Sequence, residues 1–246
     1  MLDNLTIVLV NPSHPGNIGS TARAMKTMGL SKLCLVNPDD FPSDTAMALA
    51  SGANDILEQA QVVSSLDEAI GGYQFVVGTS ARVRGVSLPL VDPRSCAKTL
   101  IEELSQGAVA LVFGREDRGL TNQELTCCHL QVHIPTNPDF SSLNLGAAVQ
   151  VLCYELRMAG LLASEGVVLP KKSHHELATV ADMERFYGHL YEVLLDIGFL
   201  EHSSHEKIMR KLRRLYGRIR LDRIEIAILR GILSETKRCI EKGQVS

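Results

Sequence analysis

Three stretches of this chain place small and polar side chains directly behind an apolar run. They are "GTSAR" (Gly78 to Arg82), "FGREDRGL" (Phe113 to Leu120) and "IPTNPDFSSLNLGAAVQ" (Ile134 to Gln150). A fourth, "HPGNIGSTARAM" (His14 to Met25), follows the apolar "TIVLV" and holds two glycines, Asn17 and Arg23. In parallel sheets, ligands sit beyond the carboxyl ends of the strands. Small residues there leave backbone N–H and C=O groups free to bond a purine and its ribose without side-chain interference. Three such loops can build one pocket.

The fourth stretch is not a dinucleotide fingerprint. That pattern is G-x-G-x-x-G directly after the first strand. Here Asn-Pro-Ser-His-Pro intervenes before Gly16 and Gly19. The acidic pair Asp39 and Asp40 comes only after a proline turn, so no carboxylate ends the second strand. Taken alone, Arg23 reads as a solvated helix arginine. Asn17 serves either the helix's own amides or a substrate. Glu116 can pair with Arg23 or Arg115 as a bidentate partner. "CCHLQVH" (Cys127 to His133) alternates as a strand does and lacks zinc spacing, so no metal is expected. The six cysteines (34, 96, 127, 128, 153, 239) form no C-x-x-C pair and read as reduced thiols.

These loops need a frame. Strand patterns cover Thr6–Val10, Lys32–Val36, Val62–Val63, "FVVGTS", "VALVFG" and "LQVHIP". Helix patterns lie between them: Asn17–Met28 ended by Gly29, "TAMALASG", "SLDEAIGG", one opening at Asp92-Pro93, one after the Thr121/Glu124 capping box, and a long apolar Leu143–Leu162. Alternation of this kind predicts an α/β fold with a parallel sheet covered on both faces. A stretch rich in Gly, Pro, Ser and charge follows. Past it come only helices: Val180–Ile197, about His205–Tyr216, and Asp222–Lys242. The expected division is an α/β domain at 1–164, a linker at 165–176 and a small all-helical domain at 177–246.

The chain has 246 residues, 45% of them hydrophobic, and a formal net charge of -3. It is no polycation, so a nucleic-acid site must be a local patch. Lys207 to Arg230 is such a patch, with nine Lys/Arg against two acids. Its apolar positions Ile208, Leu212, Leu215 and Ile219 keep a packing stripe, so the bases form either a phosphate-binding strip or an ordinary solvated face. No uninterrupted apolar run reaches the length of a membrane span, and "MLDNLTIVLV" lacks the layout of a secretion signal. A cytoplasmic protein with no membrane partner is expected.

Taken in order, "NIGSTARAMKTMG", "FGREDRGL" and "IPTNPDFSSLNLGAAVQ" resemble the three signature motifs of the SPOUT methyltransferases. The narrower resemblance is to the TrmH-like 2′-O-ribose methyltransferases of RNA. With "TSAR", "SSLNL" and the helical extension, it reaches a bacterial subgroup that acts on tRNA. The resemblance implies that roughly Phe75 to Leu162 forms a deep trefoil knot. It implies S-adenosylmethionine as cofactor, held by Thr79, Ser80, Ala81, Gly114, Ile134, Ser141, Ser142, Leu143 and Asn144. It implies in-line attack of a ribose 2′-oxygen on the sulfonium methyl, with Arg23 at that hydroxyl and Asn17, Glu116 and Ser142 in support.

A guanidinium is a poor proton acceptor, because its pKa exceeds about 12. Electrostatic positioning of the alkoxide and phosphate is therefore the favoured role for Arg23. The expected RNA contacts are Arg82, Arg84, Arg115, Lys211, Arg213, Arg214 and Arg218, with Tyr187 and Tyr216 either stacking on bases or packing. The resemblance also implies a homodimer, for which the long apolar helix is either an interface or a central core helix. The implied target is the anticodon-loop nucleotide at position 32, a cytidine or uridine. The alternatives are another tRNA site, ribosomal RNA, or an RNA-binding scaffold without catalysis.

Overall fold

The structure is a computed structural model that describes residues 2–81, 88–164, 176–200 and 205–243. The chain divides into two compact units, Met1–Lys172 and Ser173–Ser246. The expected linker lies outside the described residues except for Glu176, and Arg82 and Arg84 lie outside them too.

In the first unit the strands are β1 (Leu5–Val10), β2 (Lys32–Val36), β3 (Gln61–Val63), β4 (Phe75–Thr79), β5 (Leu90–Val91), β6 (Val109–Phe113) and β7 (Leu130–Val132). They alternate with α1 (Pro15–Met28), α2 (Asp44–Ala50), α3 (Asn54–Glu58), α4 (Leu66–Ile70), α5 (Pro93–Leu104), α6 (Asn122–Thr126) and α7 (Leu145–Ser164). All strands are parallel, in the order β3-β2-β1-β6-β4-β7-β5. Every residue of β1 and β6 is buried, which is why both read as unbroken Val/Leu runs rather than as alternation.

The strand order is what positions the loops. β1, β6, β4 and β7 are immediate neighbours, with Ile7, Leu111 and Val77 in register across three of them. Their carboxyl ends therefore bring together the four stretches singled out by composition, although these are spread over more than 120 residues.

Several helix ends follow local chemistry. Gly29 closes α1 at φ +80. Thr121 and Glu124 form a full capping box on α6, and Asp92 caps α5 ahead of Pro93. The start of α1 differs from expectation. His14 is the cap, its Nδ1 accepting the Gly16 N–H at 3.1 Å, and Pro15 is the first helical residue. Asn17 thus lies inside the first turn and is released from capping. Two elements carried no readable signal. α3 has five residues and β5 two, too few for a period. β5 is held at the sheet edge by β7, with the His133 N–H donating to the Val91 carbonyl at 3.0 Å.

Among the described residues α7 is the one helix long and apolar enough to cross a membrane, despite Glu155 and Arg157 within it. It lies instead along α1 and α5, burying Leu145, Val149, Leu152, Cys153 and Leu156. Glu155 reaches Arg94 of α5 at 3.6 Å.

The second unit consists of α8 (Val180–Asp196), α9 (His205–Gly217) and α10 (Arg223–Gly243). They surround Met183, Phe186, Tyr187, Leu190, Met209, Leu221 and Ile226. Phe186 and Tyr216 meet edge to face at 4.9 Å. A Thr179/Asp182 capping box starts α8.

Gly19 has a packing reason for being glycine. A Cβ there would sit 2.2 Å from the Ala46 carbonyl oxygen of α2. It sets helix approach, not phosphate approach. Gly19→Ala is expected to lower unfolding free energy by about 1–3 kcal/mol through overpacking. Gly72→Ala, where a Cβ meets nothing within 4 Å, is expected to stay within about 0.5 kcal/mol of wild type in the same urea titration.

Candidate active site

A cleft opens at the carboxyl ends of β4, β6 and β7. Thr79, Ser80 and Ala81 line one part, Gly114 to Gly119 another, and Ile134, Thr136 and Ser141 to Leu143 a third. Phe113, Val132, Leu145 and Ala148 form its apolar floor. Eight of the nine residues expected at the cofactor are therefore in the lining: Thr79, Ser80, Ala81, Gly114, Ile134, Ser141, Ser142 and Leu143. Asn144 is not. It caps α7 instead, accepting the Ala147 N–H at 3.3 Å.

The loop after β6 folds back on itself. Gly119, at φ +66, donates to the Arg115 carbonyl at 2.8 Å. A Cβ on Gly114 would lie 2.1 Å from both the Gly119 carbonyl carbon and the Leu120 nitrogen. Glycine at 114 thus allows the loop to close, and only through that closure shapes the cleft. The loop after β4 is pinned in a different way. The Ser80 N–H donates to the Val132 carbonyl at 3.0 Å, and the Ser80 carbonyl meets His133 Nδ1 at 3.0 Å. His129 accepts the Val76 N–H at 3.0 Å and stacks on Phe75. Both histidines of "CCHLQVH" therefore organise backbone.

Glu116 is the junction of the site. Its carboxylate accepts from Ser13 N–H (3.1 Å), Ser13 Oγ (3.0 Å), His14 N–H (3.3 Å) and Asn17 Nδ2 (2.9 Å). Asn17 Oδ1 in turn accepts from Asn144 Nδ2 at 2.8 Å. One chain of contacts thus links the loops after β1, β6 and β7. Desolvation works against the Glu116 charge, but the bonds from Asn17, Ser13 and His14 outweigh it and hold the carboxyl below its ordinary range. Glu116 is ionised at neutral pH and is a weaker base than a free carboxylate.

This overturns the expected ion pair of Glu116 with Arg23 or Arg115. Arg115 faces the other way. Its guanidinium donates to both Glu124 oxygens (3.0 and 3.1 Å) and to Asn11 Oδ1 at 2.7 Å. It is a tie between the β1 end, the β6 loop and α6, not a free cation for RNA. Asn11, at φ +48, occupies the left-handed region that asparagine tolerates. Arg23 lies six residues beyond Asn17 on α1, about 9 Å along the helix axis. It is exposed, makes no side-chain hydrogen bond or ion pair among the described residues, and is not in the cleft lining.

In the second unit, Lys211 and Arg214 are exposed on α9, and Arg218 is exposed in the turn that follows it. Arg213 departs from expectation. It pairs with Glu184 and lies 4.5 Å over the Tyr187 ring, tying α9 to α8. Tyr187 is buried and Tyr216 packs on Phe186, so both tyrosines belong to the core. Burial pushes the thiols up, Cys34 to about 11 and Cys96 and Cys153 to about 12. None of these is a ready nucleophile.

Sequence reasoning missed Ser13 and His14 as holders of Glu116, and Asp117, Arg118 and Thr136 as cleft residues. His14 acts through its backbone N–H, for which side-chain type is no signal, and Ser13 through its backbone N–H and a hydroxyl that reads as an ordinary loop serine. The second job of Glu124 was hidden behind its legible capping role.

Residues 4–154 match the SpoU rRNA Methylase family, and residues 181–245 match the C-terminal domain of the tRNA methyltransferase TrmJ. The tRNA (cytidine/uridine/adenosine-2′-O-)-methyltransferase TrmJ of Pseudomonas aeruginosa is 54% identical over 97% of this chain and 95% of its own length. The tRNA (cytidine/uridine-2′-O-)-methyltransferase TrmJ of Photorhabdus laumondii is 50% identical over 98% of this chain and 100% of its own. The crystal structure of TrmJ from Z. mobilis ZM4 superposes with a TM-score of 0.80 at 34% identity, covering 94% of this chain and 98% of that one.

The Glu116 junction makes a pH prediction. Its folded pKa is depressed, so its contribution to stability is present above the ordinary carboxylate range and is lost as pH falls through the folded value. Glu116→Gln sets an amide donor among four donors. It should lower unfolding free energy by about 1–3 kcal/mol at pH 7. The gap to wild type should shrink in urea titrations as the buffer approaches pH 3.

Proposed function

This chain belongs to the SpoU rRNA Methylase family with a TrmJ C-terminal domain appended, and we propose that it methylates the ribose 2′-oxygen of nucleotide 32 in the anticodon loop of tRNA, using S-adenosylmethionine. It is a tRNA 2′-O-methyltransferase acting on cytidine and uridine, as its close relatives are. The single observation that carries the reading is the convergence of the loops after β4, β6 and β7 on one cleft, to which the loop after β1 is tied through Glu116.

The cleft fits the cofactor. Thr79, Ala81 and Gly114 offer backbone groups with little side chain, while Phe113, Val132, Ile134, Leu143 and Leu145 offer an apolar wall for a flat base. When bound, S-adenosylmethionine supplies a methyl already activated by a positive sulfur. The residues of the chain must then align the 2′-oxygen, keep water out, and stabilise the charge that develops as the hydroxyl loses its proton. Arg23 supplies that positive charge, to the forming alkoxide and to the adjacent phosphate. Glu116 is excluded as the base, because its depressed pKa and four hydrogen bonds already commit it. Asn17 and Asn144 hold α1, and with it Arg23, in register with the cleft loops. Ser142 faces the cleft, where its hydroxyl can meet the ribose.

The reading includes a trefoil knot through the β4–α7 region. It includes a homodimer with a second copy packed on α7, where Tyr154, Met158, Leu161 and Leu162 form an exposed apolar stripe. It includes RNA contact by Arg82 and Arg84, and by a phosphate-binding strip of Lys211 and Arg214 on α9 with Arg218 just past its end. A tRNA substrate implies a cytoplasmic location.

The decisive assay is methyl transfer to unmodified tRNA from a labelled donor, followed by mass mapping. The label is expected at the 2′-O-ribose of nucleotide 32. Label at another tRNA position would overturn the site assignment, and preferential transfer to ribosomal RNA would overturn the tRNA reading. Arg23→Ala should lower kcat at least about 100-fold while cofactor affinity stays within a few-fold; wild-type turnover would remove Arg23 from the chemistry. Replacing Lys211, Arg214 and Arg218 by Gln should reduce the slope of log Kd for tRNA against log salt by about two to three. Arg213→Gln should chiefly lower the melting temperature.

A further inference from the structure

The loop between β7 and α7 is built to hold one aromatic ring out in solvent. Asn137 forms a tight turn: its backbone carbonyl accepts the Phe140 N–H at 3.0 Å and its Oδ1 accepts the Asp139 N–H at 3.0 Å. Thr136 Oγ1 donates to the Ser141 carbonyl at 3.1 Å, closing the turn from outside. Pro138 sits within it. On this frame Phe140 is 79% exposed, more than any other large hydrophobic side chain among the described residues.

A lone apolar side chain at a surface is ordinary. This one differs in position and in rigidity. Ser141, Ser142 and Leu143, which follow it directly, line the cleft, as does Thr136 before the turn. Three hydrogen bonds fix the backbone that carries the ring. A side chain held this way loses little freedom on binding, and both of its faces remain available.

We propose that Phe140 is a stacking platform for a nucleobase of the RNA beside the ribose held in the cleft. The inference rests on the methyltransferase reading above and adds how the nucleotide is gripped. A phenyl ring has no hydrogen-bonding group, so it accepts the face of a purine or a pyrimidine alike. It positions the nucleotide and leaves discrimination between bases to other contacts.

The chain contains no tryptophan, so Phe140→Trp installs a single indole at the proposed platform. Titration of that variant with tRNA is expected to quench its emission in the concentration range that saturates methyl transfer. Phe140→Ala is expected to raise the KM for tRNA about ten-fold or more, with kcat and the Kd for S-adenosylmethionine within two-fold. Phe140→Trp is expected to hold KM near wild type, which a residue needed only for loop folding would not do. An unchanged KM in the alanine variant, or indole emission indifferent to saturating tRNA, would overturn the proposal. So would an effect confined to cofactor Kd or to the oligomeric mass, which would assign the ring to the cleft or to a subunit contact. Failure of the wild-type protein to methylate any tRNA would strike the functional reading alone, because the indole reports binding.

Discussion

A carboxylate that accepts four hydrogen bonds holds this site together. Parallel strands end in a row, but nothing about a sheet requires the loops beyond its edge to touch. Here they do, because Glu116 after β6 gathers Ser13, His14 and Asn17 from the β1–α1 connection. Asn17 then passes the link to Asn144 at the start of α7. The adjacent Arg115 grips the same connection at Asn11 and anchors it to Glu124 of α6. Two consecutive side chains of opposite charge thus clamp one loop at both ends. Neither pairs with the other, and neither is free for substrate.

The clamp works because its surroundings leave no slack. Gly114 and Gly119 let the β6 loop reverse within a few residues, and a side chain at 114 would strike the returning backbone. Gly146 lets α7 meet α1 at Ser20, and Gly19 lets α1 meet α2 at Ala46. Close helix contact fixes where the first turn of α1 points, so Asn17 arrives within reach of Glu116 and Asn144 at once. The glycines of the first motif serve helix packing, which is why their spacing does not match a phosphate loop.

Much of this was legible before any coordinates. Unbroken apolar runs mark buried parallel strands, and the capping residues Asp92 and Thr121 mark helix starts. Small-residue loops behind those strands marked the cleft. What stayed hidden depends on strand order, which periodicity does not encode. Only because β6 lies between β1 and β4 does Glu116 face Ser13 rather than an arginine. Arg115 and Arg213 are single cations in polar stretches, and composition cannot distinguish a tie from a phosphate ligand. The carboxylates that claim them, Glu124 and Glu184, lie nine residues away in one case and twenty-nine in the other. β5, with two residues, exists only because β7 offers it an edge.

The same contacts constrain the chemistry. A methyl on a cationic sulfur needs no further activation, so the protein's share is to place an oxygen and stabilise its charge. A saturated carboxylate with a depressed pKa is unsuited to removing a proton, and buried thiols near 12 are unsuited to attack. The described lining of the cleft is backbone, small hydroxyls and apolar side chains, with charged side chains only in the β6 loop, where Arg115 and Glu116 are committed and Asp117 pairs with Arg118. On α1, whose first turn the junction holds in place, Arg23 is exposed and has no side-chain partner among the described residues. In the proposed role its guanidinium brings positive charge to the oxygen that loses its proton. On that proposal, the cleft loops align the oxygen and α1 supplies the charge. The Glu116 junction couples those two parts, because it ties the first turn of α1 to the loops after β6 and β7.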